Sequence, residues 1–158
     1  MSLYVGIDPG ASGGIAIIDD EEDGVMPVLV PMPKTEKDVW RPLSEIASDG
    51  RLVFAVIEKV GGYIPGSRGN IGSAMFRFGM SCGFLRGCLI AAAIPFDEVA
   101  PKTWQKALGV IPRRGAETRG QFKNRLKAKA QQLFPRCDVT LATADALLLA
   151  EHCRRIRS

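Results

Sequence analysis

The stretch LYVGIDPGASGGIAIID, residues 3–19, decides how this chain is read. Its two halves, LYVGID and GGIAIID, are short and rich in Val, Ile and Tyr, and PGAS between them supplies turn chemistry, so they predict a β-hairpin. The first strand ends on a carboxylate, Asp8, directly before Pro-Gly. An acid at the end of a buried strand costs free energy unless a cation, a donor or water compensates it, so Asp8 points to a use beyond the turn. Gly10, Gly13 and Gly14 permit a tight hairpin and leave no side chains in the way of a group approaching that acid.

Beyond the hairpin, DDEEDG (19–24) reads as an acidic turn and VMPVLVPM (25–32) as a third strand, placed at an edge by Pro27 and Pro31. KTEKDVWRPLSEIASDG (34–50) predicts a short helix, opened by a capping box of Thr35 and Asp38 and closed by Gly50. RLVFAVIE (51–58) is nearly continuous in apolar residues, as a strand covered on both faces is, and it too ends on an acid, Glu58. KVGGYIPGSRGN (59–70) holds five Gly or Pro in twelve residues and reads as a flexible loop. IGSAMFRFGMSCGFLRGCLIAAA (71–93) predicts a long helix of small residues packed tightly on the sheet, and IPFDEVAP (94–101) a further strand.

The remaining third is helical. PKTWQKALGV (101–110) begins with Pro at a first helical position, and Trp104 is expected to anchor it to the core. IPRRGAE is a basic loop. TRGQFKNRLKAKAQQLFP (118–135) carries a second capping box, Thr118 and Gln121, an apolar stripe of Phe122, Leu126, Ala130 and Leu133, and a basic row of Arg119, Lys123 and Lys127 at spacings of four. TLATADALLLAEHCRRIR (140–157) is an apolar helix into which Asp145 is set. Three strands, helix, strand, helix, strand and helices predict an α/β fold. Its sheet is mixed, with about five strands: a three-stranded antiparallel meander, parallel strands added by crossovers, and helices on both faces. At 158 residues the chain is expected to form one domain, 1–158.

Composition narrows the function. Apolar residues are 46% and charged residues 24%, as in ordinary globular proteins. No apolar run is expected to span a bilayer. MSLYVGID enters strand-like sequence at once, so no signal segment is expected and the location is read as cytoplasmic. Four cysteines without paired CxxC spacing read as reduced thiols. Residues 1–100 carry 8 Lys/Arg against 13 Asp/Glu, whereas residues 101–158 carry 13 against 4, so the basic charge is concentrated in the last third. Such asymmetry points to a polyanionic partner.

Asp8, Glu58 and Asp145 come from three distant places. If the first and fourth strands are neighbours, two of them emerge at one sheet edge, and a helix packed across that edge adds the third. Converging oxygen ligands without thiols suit Mg²⁺ or Mn²⁺, and two such ions can clamp the attacking and leaving oxygens of a phosphodiester.

YVGIDPGASGGIAI, VIEKV, SAMFRFG, PKTWQK, LFP and TADALLLAEH together resemble, in order, the landmarks of RuvC-like Holliday-junction resolvases, particularly the shorter phage and prophage type. The resemblance covers nearly the whole chain. It implies an RNase H-like fold, a homodimer, and a Mg²⁺-dependent endodeoxyribonuclease that resolves four-way junctions and other branched DNA by paired symmetric nicks. It implies the bacterial cytoplasm, or that of a bacterial host if the chain is phage-encoded. Asp8, Glu58 and Asp145 match the family's first, second and last acids, and Lys123 before LFP matches its phosphate-supporting lysine, with Lys106 the second candidate. Where the family usually has a further acid about a turn before the last aspartate, this chain has Ala142. Asp138 or His152, each seven residues from Asp145, would return to its face if helical and could supply the missing ligand.

Family members enter the junction with the loop after the second acid. Tyr63 is the aromatic candidate there, with Arg68 as a phosphate contact; Arg113, Arg114, Arg119 and Lys127 complete the expected DNA-binding set. The long helix 71–93, with Met75, Phe76, Phe78 and Phe84, is the expected dimer interface. Two neighbouring readings share parts of this pattern: a ribonuclease H acting on hybrids, and a non-catalytic DNA-binding module. An ATPase of the actin and sugar-kinase type is disfavoured, since such proteins need a second lobe with its own glycine-rich phosphate loop.

Overall fold

Residues 2–20, 26–61 and 71–158 are described by the computed structural model. They form β1 (Ser2–Asp8), β2 (Gly14–Asp19), β3 (Val28–Pro31), α1 (Glu36–Ala47), β4 (Leu52–Glu58), α2 (Ile71–Ala91), β5 (Phe96–Val99), α3 (Pro101–Ala107), α4 (Arg119–Leu133) and α5 (Ala144–Arg157). The five strands make one sheet in the order β3-β2-β1-β4-β5. β1, β2 and β3 are the antiparallel meander, while β4 lies parallel to β1 and β5 parallel to β4. The predicted mixed sheet is therefore present, with β3 at one edge.

Strand alternation divides the core into two layers. Leu3, Val5 and Ile7 of β1 join Ile15, Ile17, Val53, Ala55 and Ile57 on the face covered by Val39 and Leu43 of α1 and Leu85 and Leu89 of α2. Tyr4, Ala16, Ile18 and Val56 point the other way, against α5, Trp104 and Leu108 of the α3 segment, and Leu126 and Ala130 of α4. Gly6 also lies on this second face, where the α5 backbone runs directly over β1. All four cysteines are free, as expected.

Helix starts follow the sequence chemistry. At α4 both halves of the Thr118–Gln121 box form. At α1 the Thr35 hydroxyl oxygen accepts from the Asp38 amide at 3.2 Å, but the Asp38 carboxylate accepts from the Thr35 hydroxyl at 2.6 Å. The shorter Asp side chain makes a local pair in place of the reciprocal bond of a full box.

The second helix departs from expectation in two ways. Gly72–Ala91, 20 residues with a window of mean hydropathy 1.2, is long and apolar enough to cross a membrane by length and composition, which corrects the reading that no run reaches that length. It is also not packed tightly along its length. Leu85, Cys88 and Leu89 reach the core, whereas Phe76 and Ile90 are each 68% exposed and Met80 54%. Apolar residues occur on all sides of this helix, so one sheet face cannot cover them all.

Candidate active site

Two acids are placed by strand pairing. Ile7 of β1 is in register with Ile57 of parallel β4, so Asp8 and Glu58, the next residues on adjacent strands, leave the sheet at the same edge. The turn after Asp8 is closed by the Gly13 amide donating to the Gly10 carbonyl at 3.1 Å. A side chain at Gly13 would overlap the Asp8 carbonyl, and Gly10 holds a φ of +103°, so glycine is required at both positions. Asp145 occupies the first turn of α5 and is 4% exposed.

Electrostatics tie the three together. Burial, reinforced by the charges of Asp145 and Glu58, pushes the Asp8 carboxyl up to about 7, against the opposing pull of Lys123. Glu58 is also raised, first by burial and further by Asp145; a hydrogen bond from Trp104 and the charge of Lys123 act against this. Lys123 of α4 forms an ion pair with Asp145 Oδ2. Burial alone would lower the Lys123 ammonium, but Asp145, Asp8 and Glu58 together outweigh it and hold it above its ordinary value. Asp145 Oδ1 is buried without a hydrogen-bond partner among the described residues.

Asp8, Glu58 and Lys123 open onto a cleft of about 1140 Å³, and Asp145 is buried beside Lys123. Asp8 to Ser12 and Glu58 to Gly61 line it from the sheet edge, Phe78 from α2, and Arg119, Lys123 and Asn124 from α4. Hard oxygen donors and an orphaned carboxylate oxygen suit a divalent cation such as Mg²⁺ in chemical type. As arranged, no three His, Cys, Asp or Glu side chains among the described residues stand close enough to hold one ion, and Lys123 supplies the counter-charge.

Other sequence candidates fall in different places. Ala142, where the sequence resemblance implies a further acid, lines the cleft and carries only a methyl group. Asp138 does not replace it: α5 begins at Ala144, so Asp138 is outside the helix, exposed, and off the face that a seven-residue helical spacing requires. His152 does not replace it either, because seven residues at 1.5 Å each put it about 10 Å along α5 from Asp145. It is buried there with Nδ1 unpartnered, and burial followed by the charge of Arg155 lowers its pKa.

Arg119 is exposed on the cleft wall, while Lys127 lies two turns farther along α4. Lys106, Arg113 and Arg114 are exposed but do not line the cleft. Tyr63 and Arg68 lie outside the described residues. Sequence reasoning placed Trp104 in the core, where it is fully buried, but missed that its indole Nε1–H donates to Glu58 Oε2 at 2.9 Å. The signal was available, since a buried indole N–H needs an acceptor. Phe78 was likewise read for the dimer interface and not for the cleft.

A meander of three strands extended by two parallel ones, with helices on both faces, defines the RNase H-like class of α/β fold. Within that class the fold is that of RuvC. The Thermus thermophilus RuvC structure aligns with a TM-score of 0.61 and 16% identity, covering 98% of this chain and 96% of that one. T. thermophilus RuvC in complex with Holliday junction substrate aligns with a TM-score of 0.64 and 16% identity, covering 99% and 97%. No family model and no curated protein matches the sequence.

Proposed function

We propose that this chain is a metal-dependent, structure-specific endodeoxyribonuclease that resolves four-way junctions and other branched DNA by paired nicks. The observation that carries the reading is the electrostatic convergence of Asp8, Glu58 and Asp145 around Lys123 at one end of a RuvC-fold sheet. A DNA-binding module without catalysis would have no use for three acids where phosphate must approach. One of the two RuvC structures contains Holliday junction substrate, which supports branched DNA as the partner.

Asp8, Glu58 and Asp145 would hold Mg²⁺ or Mn²⁺, which supplies Lewis-acid stabilisation of phosphodiester oxygens when bound. Around it, this chain's own groups position the substrate. Arg119 and Asn124 on the cleft wall receive the backbone, and the small residues of the Gly10–Gly13 turn let a phosphate come close to Asp8. Lys123 is close enough to the acids to stabilise negative charge developing on the scissile phosphate. Two symmetric nicks require two sites, and a two-fold dimer built on α2 would provide them. The exposed Phe76, Met80 and Ile90 support that surface.

Purified protein incubated with Mg²⁺ and end-labelled four-way junction, flap, linear duplex and RNA–DNA hybrid tests the proposal. Paired cuts in the junction, with linear duplex intact, are expected. Preferential cutting of the hybrid would make the protein a ribonuclease H, and binding without cutting would make it a non-catalytic module.

A further inference from the structure

Trp104 is the largest fully buried side chain, and its one polar atom is directed at Glu58: Nε1 lies 2.9 Å from Oε2. A residue needed only for packing could be any large apolar side chain. An indole whose N–H is aimed at an acid does a second thing, since it selects one orientation of the carboxylate and engages one of its oxygens.

The same short segment also fixes the Glu58 backbone. Glu58 pairs with Val99 of β5, and the Lys59 amide donates to the Val99 carbonyl at 2.8 Å. Ala100 follows as the helix cap, Pro101 opens α3, and Trp104 comes one turn later. Residues 96–104 therefore grip the main chain of Glu58 with a strand and its side chain with a helix. Asp8 and Asp145 receive no comparable neutral donor among the described residues. Asp8 is held by its turn, and Asp145 by the mobile-ended ammonium of Lys123.

We propose that Trp104 is a positioning residue for metal binding. Its N–H engages Glu58 Oε2 and would leave Oε1 to face a divalent cation. This rests on the nuclease reading above and adds to it the residue that orients the second acid.

Trp104→Phe keeps an aromatic ring in the core and deletes the N–H. Isothermal calorimetry of Mg²⁺ binding, without DNA, is expected to show about 10–100-fold weaker affinity than in the parent protein, the range seen when an outer partner of a metal ligand is removed. Junction binding in EDTA is expected to be unchanged. A Phe variant that binds Mg²⁺ as tightly as the parent, while Glu58→Gln loses it, would overturn the positioning role and leave the nuclease reading standing. A parent protein whose Mg²⁺ binding is indifferent to Glu58→Gln would overturn both.

Should the Phe variant not fold, Trp40→Phe leaves Trp104 as the sole tryptophan. Its emission is expected to change as Mg²⁺ saturates, and not to change when Glu58→Gln is added. Emission that ignores Mg²⁺ in a protein shown by calorimetry to bind it would count against the proposal.

Discussion

A methyl group placed on Gly6 of β1 would overlap the carbonyl oxygen of Ala146 in α5, and it would also lie 2.9 Å from the Cα of Ala150. Neither neighbour is a side-chain tip that could swing aside. This contact sets the distance between the strand that carries Asp8 and the helix that carries Asp145. Gly6→Ala is expected to destabilise the protein by about 2 kcal/mol or more, as overpacking does, with a lower urea midpoint. Gly87→Ala on α2, where an added Cβ meets nothing within 4 Å, is expected to gain about 0.5–1 kcal/mol from helix propensity. Equal midpoints for the two variants would contradict the packing described.

Removing the acids separates chemistry from binding. Asp8→Asn, Glu58→Gln and Asp145→Asn are each expected to abolish junction cleavage while leaving junction affinity intact or tighter, because negative charge facing DNA is lost. Lys123→Ala is expected to lower turnover more than affinity. His152→Ala, distant from the acids, is expected to cut at close to the parent rate. Gel assays of binding and of cleavage on one labelled junction report both quantities, and full activity in Asp145→Asn would refute the site.

Asp8 predicts an inverted pH profile. The folded protein keeps its proton up to about 7, whereas the unfolded chain releases it near 3.8. Between those values the folded state binds more protons, so without divalent cation this group makes stability fall as pH rises from about 4 to 7, then level off. Glu58 acts in the same direction. Asp8→Asn is expected to melt higher than the parent at pH 8, with the gap closing toward pH 4. Mg²⁺ is expected to raise the parent's melting temperature at pH 8 and to do little for the variant.

The cleft wall predicts salt dependence. Arg119→Ala is expected to reduce the slope of log affinity against log salt by about 0.9 per lost phosphate contact on duplex DNA. Lys127→Ala, two turns away and off the cleft, is expected to change it less. Fluorescence anisotropy across a salt series measures both, and an unchanged slope for Arg119→Ala would mean that this wall faces away from DNA.

Assembly is tested on α2. Phe76→Glu and Ile90→Glu are expected to convert a dimer to a monomer in sedimentation equilibrium without lowering the melting temperature of the fold, since both side chains already face solvent. A parent protein that is strictly monomeric, with and without junction, yet cuts both strands together would refute the dimer.

Much of this was legible in the sequence because it depends on local pattern. Alternation in LYVGID and GGIAIID, Pro at β3, and the Thr118–Gln121 box each specify their structure without outside help. The convergence of Asp8 and Glu58 required only that β1 and β4 be neighbours. What the sequence hid is nonlocal. The apolar residues of α2 follow no single helical face, so nothing in them says that Leu85 and Leu89 are core while Phe76 and Ile90 are open. The bond from Trp104 to Glu58 spans 46 residues and depends on β5 lying beside β4. Asp138 would reach the face of Asp145 only if it were helical, and α5 does not begin until Ala144.

The path of α5 over Gly6 bears on when the molecule becomes able to act. Asp8 and Asp145 are 137 positions apart, and the helix that brings the second acid also supplies much of the core on one face of the sheet. A chain still emerging from the ribosome, or one clipped before residue 144, lacks that core layer and the third acid together. The third acid of the candidate site is therefore in place only once the C-terminal helix has packed onto the sheet.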